Sequence, residues 1–241
     1  MPRFYLPDTL ARDTFIALPD ASAHHAARVL RLSVGDAVTL FNGRGGEWAG
    51  HIHHIGKRAV EVHVAAWQDV ERETPLRITL AQGISSGERM DYTLQKAVEL
   101  GVHAIQPVAC VRSVVKLSGE RADKRRNHWQ NLVIAACEQC GRNRVPEVAD
   151  IAALPAWLAQ PVTAPLKLMF APDAQHTLHA LPRPGGDVTV LAGPEGGFAA
   201  DEYSAAFTAG FIPVRLGPRV LRTETAALAA LSAMQTLWGD L

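Results

Sequence analysis

Two loops near the end of the chain carry the residue types and spacing that could support chemistry. Residues 191–202 read LAGPEGGFAADE, in which an apolar run gives way to three glycines, a proline and Glu195. Residues 216–228, LGPRVLRTETAAL, repeat the arrangement, since a Gly-Pro pair separates an apolar run from an alanine-rich stretch. Arg222 and Glu224 flank the start of that stretch, so a cation and a carboxylate lie beside the second loop. The pattern predicts a ligand site at two strand-to-helix turns.

The composition of the loops favours a nucleoside over a polyphosphate as the ligand. Neither loop has the glycine and lysine spacing of a phosphate-binding motif, and the carboxylate of Glu195 would repel phosphate. If both loops leave parallel strands at one end of a sheet, they form a single crevice whose backbone groups can hydrogen-bond a base edge. The alternative is that both are ordinary strand-to-helix turns, because glycine is routine at such turns.

The hydrophobic patterning divides the chain into two predicted domains, residues 1–72 and residues 73–241. In the first, Val60, Val62 and Val64 alternate with polar residues, which is typical of a half-buried strand. Several short runs of this kind, separated by turns, predict a small β-barrel.

The second predicted domain alternates strands and helices. Leu76–Ala81 has the pattern of a strand, Glu88–Leu100 that of a helix closed by Gly101, and Val102–Ala109 that of another strand. Continuous apolar strands joined by a helix are typical of a parallel sheet, which gives an α/β fold class. We expect Thr223 to cap the last helix, because threonine is a favoured N-cap residue.

The overall composition excludes several classes of protein. The 241 residues carry no formal net charge at pH 7, so no global basicity indicates a nucleic-acid partner. Charged residues interrupt the first thirty positions, and no apolar run reaches the roughly 18 residues of a membrane helix. Three cysteines provide no disulfide framework. A cytoplasmic protein without a membrane partner is predicted.

Basic residues are concentrated between Arg112 and Arg144, where eight lysines and arginines accompany three acids. Four of them lie at 121–126, at the start of a predicted helix, where positive charge opposes the helix macrodipole. This placement indicates an external anion such as RNA phosphate, and the alternative is a solvated basic face. Elsewhere His51 and His53 share a strand face, but no acid or cysteine completes the set, so no metal site is predicted.

Longer motifs extend across nearly the whole chain. They include HHAARVLRLSVGD, GERMDYTLQKAVELGVHAIQPV, CEQCGRNRVPEV, LAGPEGGF and LGPRVLRTETAALAAL. Together they resemble the ribosomal RNA small subunit methyltransferase E family, which belongs to the SPOUT superfamily. Cys140 is a local departure, since serine is more often expected there.

The resemblance implies a fold and an activity. The fold would be a PUA-like RNA-binding β-barrel over residues 1–72, followed by a trefoil-knotted parallel-sheet domain over residues 73–241. The activity would be S-adenosylmethionine-dependent methylation of uridine N3 in 16S ribosomal RNA, within the assembled small subunit, by a homodimer. Because glycine loops do not encode the target atom, a knotted methyltransferase with another target stays open. So does a non-catalytic RNA-binding factor of ribosome assembly.

The resemblance also implies roles for individual residues. Arg222 would stabilise the uracil anion or bind a phosphate, and Glu224 would order the start of the helix or assist deprotonation. The alternative for Glu224 is a first-turn acid that the helix dipole favours. Glu195 would mainly brace its own loop. The residues expected to form the S-adenosylmethionine site are Phe170, Leu191, Gly193, Glu195, Gly196, Leu216, Gly217 and Leu221. The residues expected to bind RNA are Arg28, Arg31, Arg112, Lys116, Lys124, Arg125, Arg142 and Arg144.

Overall fold

The structure, a computed structural model, describes residues 1–57, 59–161 and 163–241. The chain forms two units, each with its own sheet. The first unit contains Met1–Glu73 and Cys137–Val145, and the second unit contains Thr74–Ala136 and Pro146–Leu241. Among the described residues, none of the helices combines the length and the apolar character needed to span a bilayer.

In the described part of the first unit, five strands form the sheet, in the order β1-β3-β4-β5-β2. The strands are β1 (Arg3–Tyr5), β2 (Thr14–Ala17), β3 (Ala37–Phe41), β4 (Glu47–Ile55) and β5 (Val60–Gln68). Strands β1 and β3 pair in parallel, and the other neighbours pair antiparallel. The predicted alternation is confirmed, because Val60, Val62 and Val64 are buried in the core of this unit. A short helix, α1 (Asp20–His24), continues as a π-helical turn over His25–Val29.

A buried ionic cluster in the first unit holds the backbone around Asn143. The carboxylate of Glu47 accepts hydrogen bonds from Arg3 at 2.7 Å, from Arg72 at 3.2 Å and from the Asn143 amide at 3.1 Å. Burial alone would raise the pKa of Glu47, but these donors hold the pKa below its ordinary value. The ionised carboxylate therefore fixes this segment within the unit.

The sheet of the second unit is entirely parallel and has eight strands among the described residues, in the order β11-β13-β10-β12-β6-β7-β8, with β9 paired to β7. The strands are β6 (Ile78–Gly83), β7 (Ala104–Ala109), β8 (Glu147–Val148), β9 (Ala152–Ala153), β10 (Leu166–Phe170), β11 (His176–Thr177), β12 (Val188–Ala192) and β13 (Ile212–Arg215). The predicted parallel α/β fold is confirmed. The two strands predicted first, β6 and β7, both begin two residues later than the sequence pattern indicated.

Helices connect and cover these strands. They are α2 (Gly87–Glu99), α3 (Glu120–Cys140), α4 (Leu154–Leu158), α5 (Ala200–Thr208) and α6 (Thr223–Trp238), with a 3-10 turn at Leu178–Ala180. Helix α2 buries Met90, Leu94 and Val98, which lie on one face at helical spacing. It packs against α6, where Gln235 accepts a hydrogen bond from the Thr74 hydroxyl at 2.8 Å. This bond ties the last turn of α6 to the segment that precedes β6.

Candidate functional site

A cavity of about 1020 Å³ opens at the carboxyl ends of β10, β12 and β13 in the second unit. Its wall comes mainly from three loops, within residues 170–173, 192–200 and 216–224. The three strands are parallel neighbours, so the loops that follow them meet at one edge of the sheet. The prediction that the two glycine loops form one crevice is confirmed.

A buried hydroxyl links the two glycine loops. Thr223, the first residue of α6, donates a hydrogen bond from Oγ1 to the carbonyl of Gly193 at 2.6 Å. The same oxygen accepts a hydrogen bond at 3.1 Å from Nε2 of Gln82, which is fully buried in β6. The prediction that Thr223 caps α6 is wrong, because its hydroxyl is used by Gly193. Arg222 occupies the N-cap position and makes no side-chain cap hydrogen bond.

Close backbone approach explains two of the glycines around the cavity. A Cβ atom on Gly83 would lie 2.5 Å from the nitrogen of Pro194, so a side chain there would push the first loop away from β6. A Cβ atom on Gly196 would lie 2.9 Å from Cβ of Arg112. Gly217 is different, because nothing lies within 4 Å of its Cβ position but its φ is +83°. At Gly217 the backbone conformation, not the space, favours glycine.

The carboxylate of Glu195 fastens the first loop to the start of α2. Its Oε1 accepts hydrogen bonds from the backbone nitrogen and the hydroxyl of Ser86, both at 2.8 Å, and from Arg89 at 3.1 Å. Burial alone would raise the pKa of Glu195, but these donors hold the pKa below its ordinary value. Glu195 therefore braces the loop in its ionised form, and its Oε1 is already saturated by protein donors.

A second buried carboxylate positions the segment that follows β7. Glu202 of α5 accepts hydrogen bonds from the backbone nitrogens of Val111 at 2.8 Å and Ala199 at 2.9 Å. The held segment places Arg112 against the first glycine loop, where its guanidinium donates to the carbonyl of Gly196 at 3.1 Å. Arg112 also lines the cavity. The sequence motif includes Glu202 but did not indicate this role, because its partner lies 91 positions away along the chain.

Glu224 differs from these two carboxylates because it accepts no hydrogen bond among the described residues, although Oε2 of Glu195 is also buried and unpaired. Glu224 lies in the first turn of α6 and lines the cavity, and its Oε2 is buried with no hydrogen-bond partner among the described residues. Arg222 lines the same wall and is exposed. The site therefore places a carboxylate without a hydrogen-bond partner among the described residues and a guanidinium within one turn of the chain.

The match to known proteins covers the whole chain. Residues 72–235 match the family model of an RNA methyltransferase domain, and residues 18–65 match that of an RNA methyltransferase PUA domain. The ribosomal RNA small subunit methyltransferase E of Buchnera aphidicola subsp. Schizaphis graminum is 36% identical over 241 residues, which is 100% of this chain and 98% of the relative. The chain belongs to the ribosomal RNA small subunit methyltransferase E family.

Two further members of the methyltransferase E family extend the match. The protein of that name from Bacillus subtilis is 32% identical over 88% of this chain and 86% of its own. The protein of that name from Neisseria gonorrhoeae, whose crystal structure contains bound S-adenosyl methionine, has a sequence 45% identical to this chain. It superposes with a TM-score of 0.92 over 100% of this chain and 99% of that chain. The resemblance identified from the sequence motifs is confirmed.

The structure brings most of the predicted cofactor and catalytic residues to one cavity. Those that line it are Phe170, Gly193, Glu195, Leu216, Leu221, Arg222 and Glu224. Gly196 and Gly217 lie in the loops but outside the lining, and Leu191 is fully buried inside β12. The lining also includes residues that sequence reasoning did not single out, among them Arg89, Asp173, Arg219 and Val220. Arg219 and Val220 fall within the LGPRVLRTET motif, and that motif was the available signal for them.

The arginines and lysines expected to bind RNA differ in their exposure and in their hydrogen-bond or ion-pair partners. Arg28 and Arg31 are exposed on the first unit, and Lys124 forms an exposed ion pair with Glu120 of α3 at 2.7 Å. Lys116 donates to the carbonyl of Val111 at 3.0 Å. Arg125 is half-buried, and Arg144 pairs with Glu71 at 2.7 Å. Arg142 is only 5% exposed, and its guanidinium is bound by the carboxylate of Glu73. Glu73 neutralises this charge within the first unit, so Arg142 is not available to bind RNA phosphate.

The Thr223 link can be tested through stability. Thr223→Val keeps the shape of the side chain but removes the hydroxyl donor of the Gly193 carbonyl and one of the two acceptors of Gln82 Nε2, which keeps its bond to the Gly83 carbonyl. We expect the free energy of unfolding in urea to fall by about 1–3 kcal/mol, the usual effect of unpairing buried polar groups. Thr225→Val, an exposed threonine in the same helical turn, is the matched control. Equal stability of the two variants would contradict the assigned role of Thr223.

Proposed function

We propose that this chain is an S-adenosylmethionine-dependent methyltransferase that methylates N3 of a uridine in 16S ribosomal RNA. The observation that carries the proposal is the single cavity formed by two glycine loops joined through Thr223. Its volume of about 1020 Å³ is at the upper end of ligand pockets, which leaves room for a methyl donor and a nucleobase together. The family to which the chain belongs supports the same activity.

The residues around the cavity fit the donor. Gly193, Leu216 and Leu221 line the wall, and their backbone groups would hold the nucleoside part, with Phe170 against the adenine. Leu191, Gly196 and Gly217 would shape the two loops from behind. When bound, S-adenosylmethionine supplies a methyl group made electrophilic by its sulfonium. The task left to the protein is to orient the uracil and to remove its N3 proton.

We assign proton removal to Glu224 and charge stabilisation to Arg222. Uridine N3 carries a proton at neutral pH, so the nitrogen can attack only as that proton leaves. The buried Oε2 of Glu224 has no partner among the described residues and can accept it. Negative charge then develops on the uracil ring, where the guanidinium of Arg222 is available on the same wall.

The remaining parts of the proposal concern the RNA and the assembly. The first unit, with Arg28 and Arg31, and the second unit, with Arg112, Lys116, Lys124 and Arg125, would bind phosphates of the small ribosomal subunit in the cytoplasm. Arg144 joins this set if RNA displaces its exposed pairing with Glu71. The homodimer and the trefoil knot are proposed on the family resemblance.

Methyl transfer to small ribosomal subunits that lack their native methylations tests the activity. With labelled S-adenosylmethionine, we expect the label in 3-methyluridine when the modified nucleosides are identified by mass spectrometry. Label in a ribose or in another base would keep the donor site and discard uridine N3 as the target. Binding to the particle without any transfer would favour the alternative of a non-catalytic assembly factor.

A substitution at Glu224 tests the assignment of the base. Glu224→Gln removes the proton acceptor with little change of shape, so we expect single-turnover methyl transfer to slow by about 10²- to 10⁴-fold. The affinity for S-adenosylmethionine, measured by calorimetry, should stay within about twofold of wild type, because a proton acceptor acts on the uracil.

Glu88→Gln is the matched control. Glu88 is an exposed first-turn acid of α2 that does not line the cavity, so the change removes a helix-dipole interaction alone. If Glu224→Gln had no larger effect on the rate than Glu88→Gln, Glu224 would be a first-turn acid and not the base.

A further inference from the structure

An apolar side chain projects from the rim of the cavity into solvent. Val220 is 80% exposed, more than any other large hydrophobic residue in the described chain, yet it lines the cavity. The loop that carries it is held at both ends, because β13 pairs with β10 on one side and Thr223 binds Gly193 on the other. An exposed valine on an anchored loop is placed to contact a partner.

Two arginines flank this valine. Arg219 and Arg222 are exposed and line the cavity, and no hydrogen bond or ion pair of their side chains is found among the described residues. Two acids of the cavity lining, Asp173 and Glu224, form no ion pair with them among the described residues. The rim of the cavity therefore offers an apolar tip between two free cations, which is complementary to a nucleobase stack bordered by phosphates.

The chemistry requires the target base to leave its stack. The N3 atom lies on the edge of uracil that pairs with other bases, and the donor site lies inside a cavity walled by three loops. Enzymes that react at a base extrude the nucleotide, and they often fill the gap with an apolar side chain. Such a side chain, or wedge, would stand at the mouth of the cavity, where Val220 lies.

We propose that Val220 takes the place of the target uridine in the RNA stack while Arg219 binds an adjacent phosphate. This inference rests on the proposed methylation of a ribosomal RNA base. It adds a means by which the base is held in the cavity, and it assigns two residues that the donor site and the proton acceptor do not require. Val220 is a positioning residue, because it acts on the reacting base through the RNA stack.

The wedge is tested with full-length protein, S-adenosylmethionine and unmethylated small ribosomal subunits. For Val220→Ala we expect the single-turnover rate to fall about tenfold or more, as expected when a stacking contact that holds an extruded base is lost. Val220→Leu, which keeps an apolar tip, should restore most of the rate. Val114→Ala is the matched control, because Val114 is 73% exposed in the same unit and does not line the cavity.

Chemical probing gives a readout that a purely structural role would not change. With S-adenosylhomocysteine and wild-type protein bound to the particle, the ribose acylation of the nucleotides that flank the target should rise. With Val220→Ala bound at saturation, that rise should be absent. For Arg219→Gln, the slope of log affinity against log salt should become shallower by about 0.7–0.9, the contribution of one phosphate contact. Arg215→Gln, an exposed arginine outside the cavity lining, should leave the slope unchanged.

The outcomes separate this inference from the proposed function. If wild-type protein transfers no methyl group to the particle, the proposed function fails. If wild type is active and Val220→Ala methylates at the same rate, or leaves the flanking nucleotides as reactive as wild type does, the wedge is wrong. A loss of S-adenosylmethionine binding, or a change of molecular mass in solution, with Val220→Ala would also overturn it. Val220 would then act on the donor site or on a second copy of the chain.

Discussion

The hydrogen bond between the Thr223 hydroxyl and the Gly193 carbonyl is the contact on which the site depends. The two glycine loops follow β12 and β13, strands that are not neighbours but both pair with β10, so the sheet alone does not join the loops to each other. The hydroxyl of Thr223 joins them through a hydrogen bond of 2.6 Å. Gln82, in the strand β6 that pairs with β12, donates a hydrogen bond to the same hydroxyl oxygen. Because these groups are largely removed from water, losing the hydroxyl leaves the Gly193 carbonyl without its donor. The start of α6, with Arg222 and Glu224, is positioned by the same bond.

The carboxylates around the cavity differ in whether they accept hydrogen bonds from other parts of the protein. Glu195 and Glu202 both accept backbone hydrogen bonds from distant segments, and these bonds set the positions of the first loop and of the segment that carries Arg112. The donors to Glu195 hold its pKa below the ordinary value, which makes that carboxylate a poor proton acceptor. Glu224 keeps a buried oxygen without a partner among the described residues. Oε2 of Glu195 is also buried without a partner, but its Oε1 is held by three donors, whereas no hydrogen bond to Glu224 is found among the described residues. We therefore assign the proton transfer to Glu224.

The sequence patterns predicted the fold class and the meeting of the loops, because both depend on local periodicity. Alternating valines predict a half-buried strand, and parallel apolar strands must bring their following loops to one edge. Side-chain partners far apart in the chain leave no such periodic signal. Thr223 had the type and position of a helix cap, yet its hydroxyl serves Gly193, and Arg142 belonged to a basic cluster, yet it is buried against Glu73. Gly196 was predicted from its motif, while its physical reason, the contact with Arg112, needed the structure.

Hydrogen exchange of the backbone amides, with and without S-adenosylmethionine, tests the central claim that the two glycine loops form one donor site. If they do, we expect the donor to slow exchange in residues 193–197 and in residues 217–222 at the same donor concentration. In Thr223→Val the donor should bind more weakly, and the two protections should no longer appear together. Protection of one loop alone in the wild-type protein would contradict the account, because the donor would then be held by a single turn.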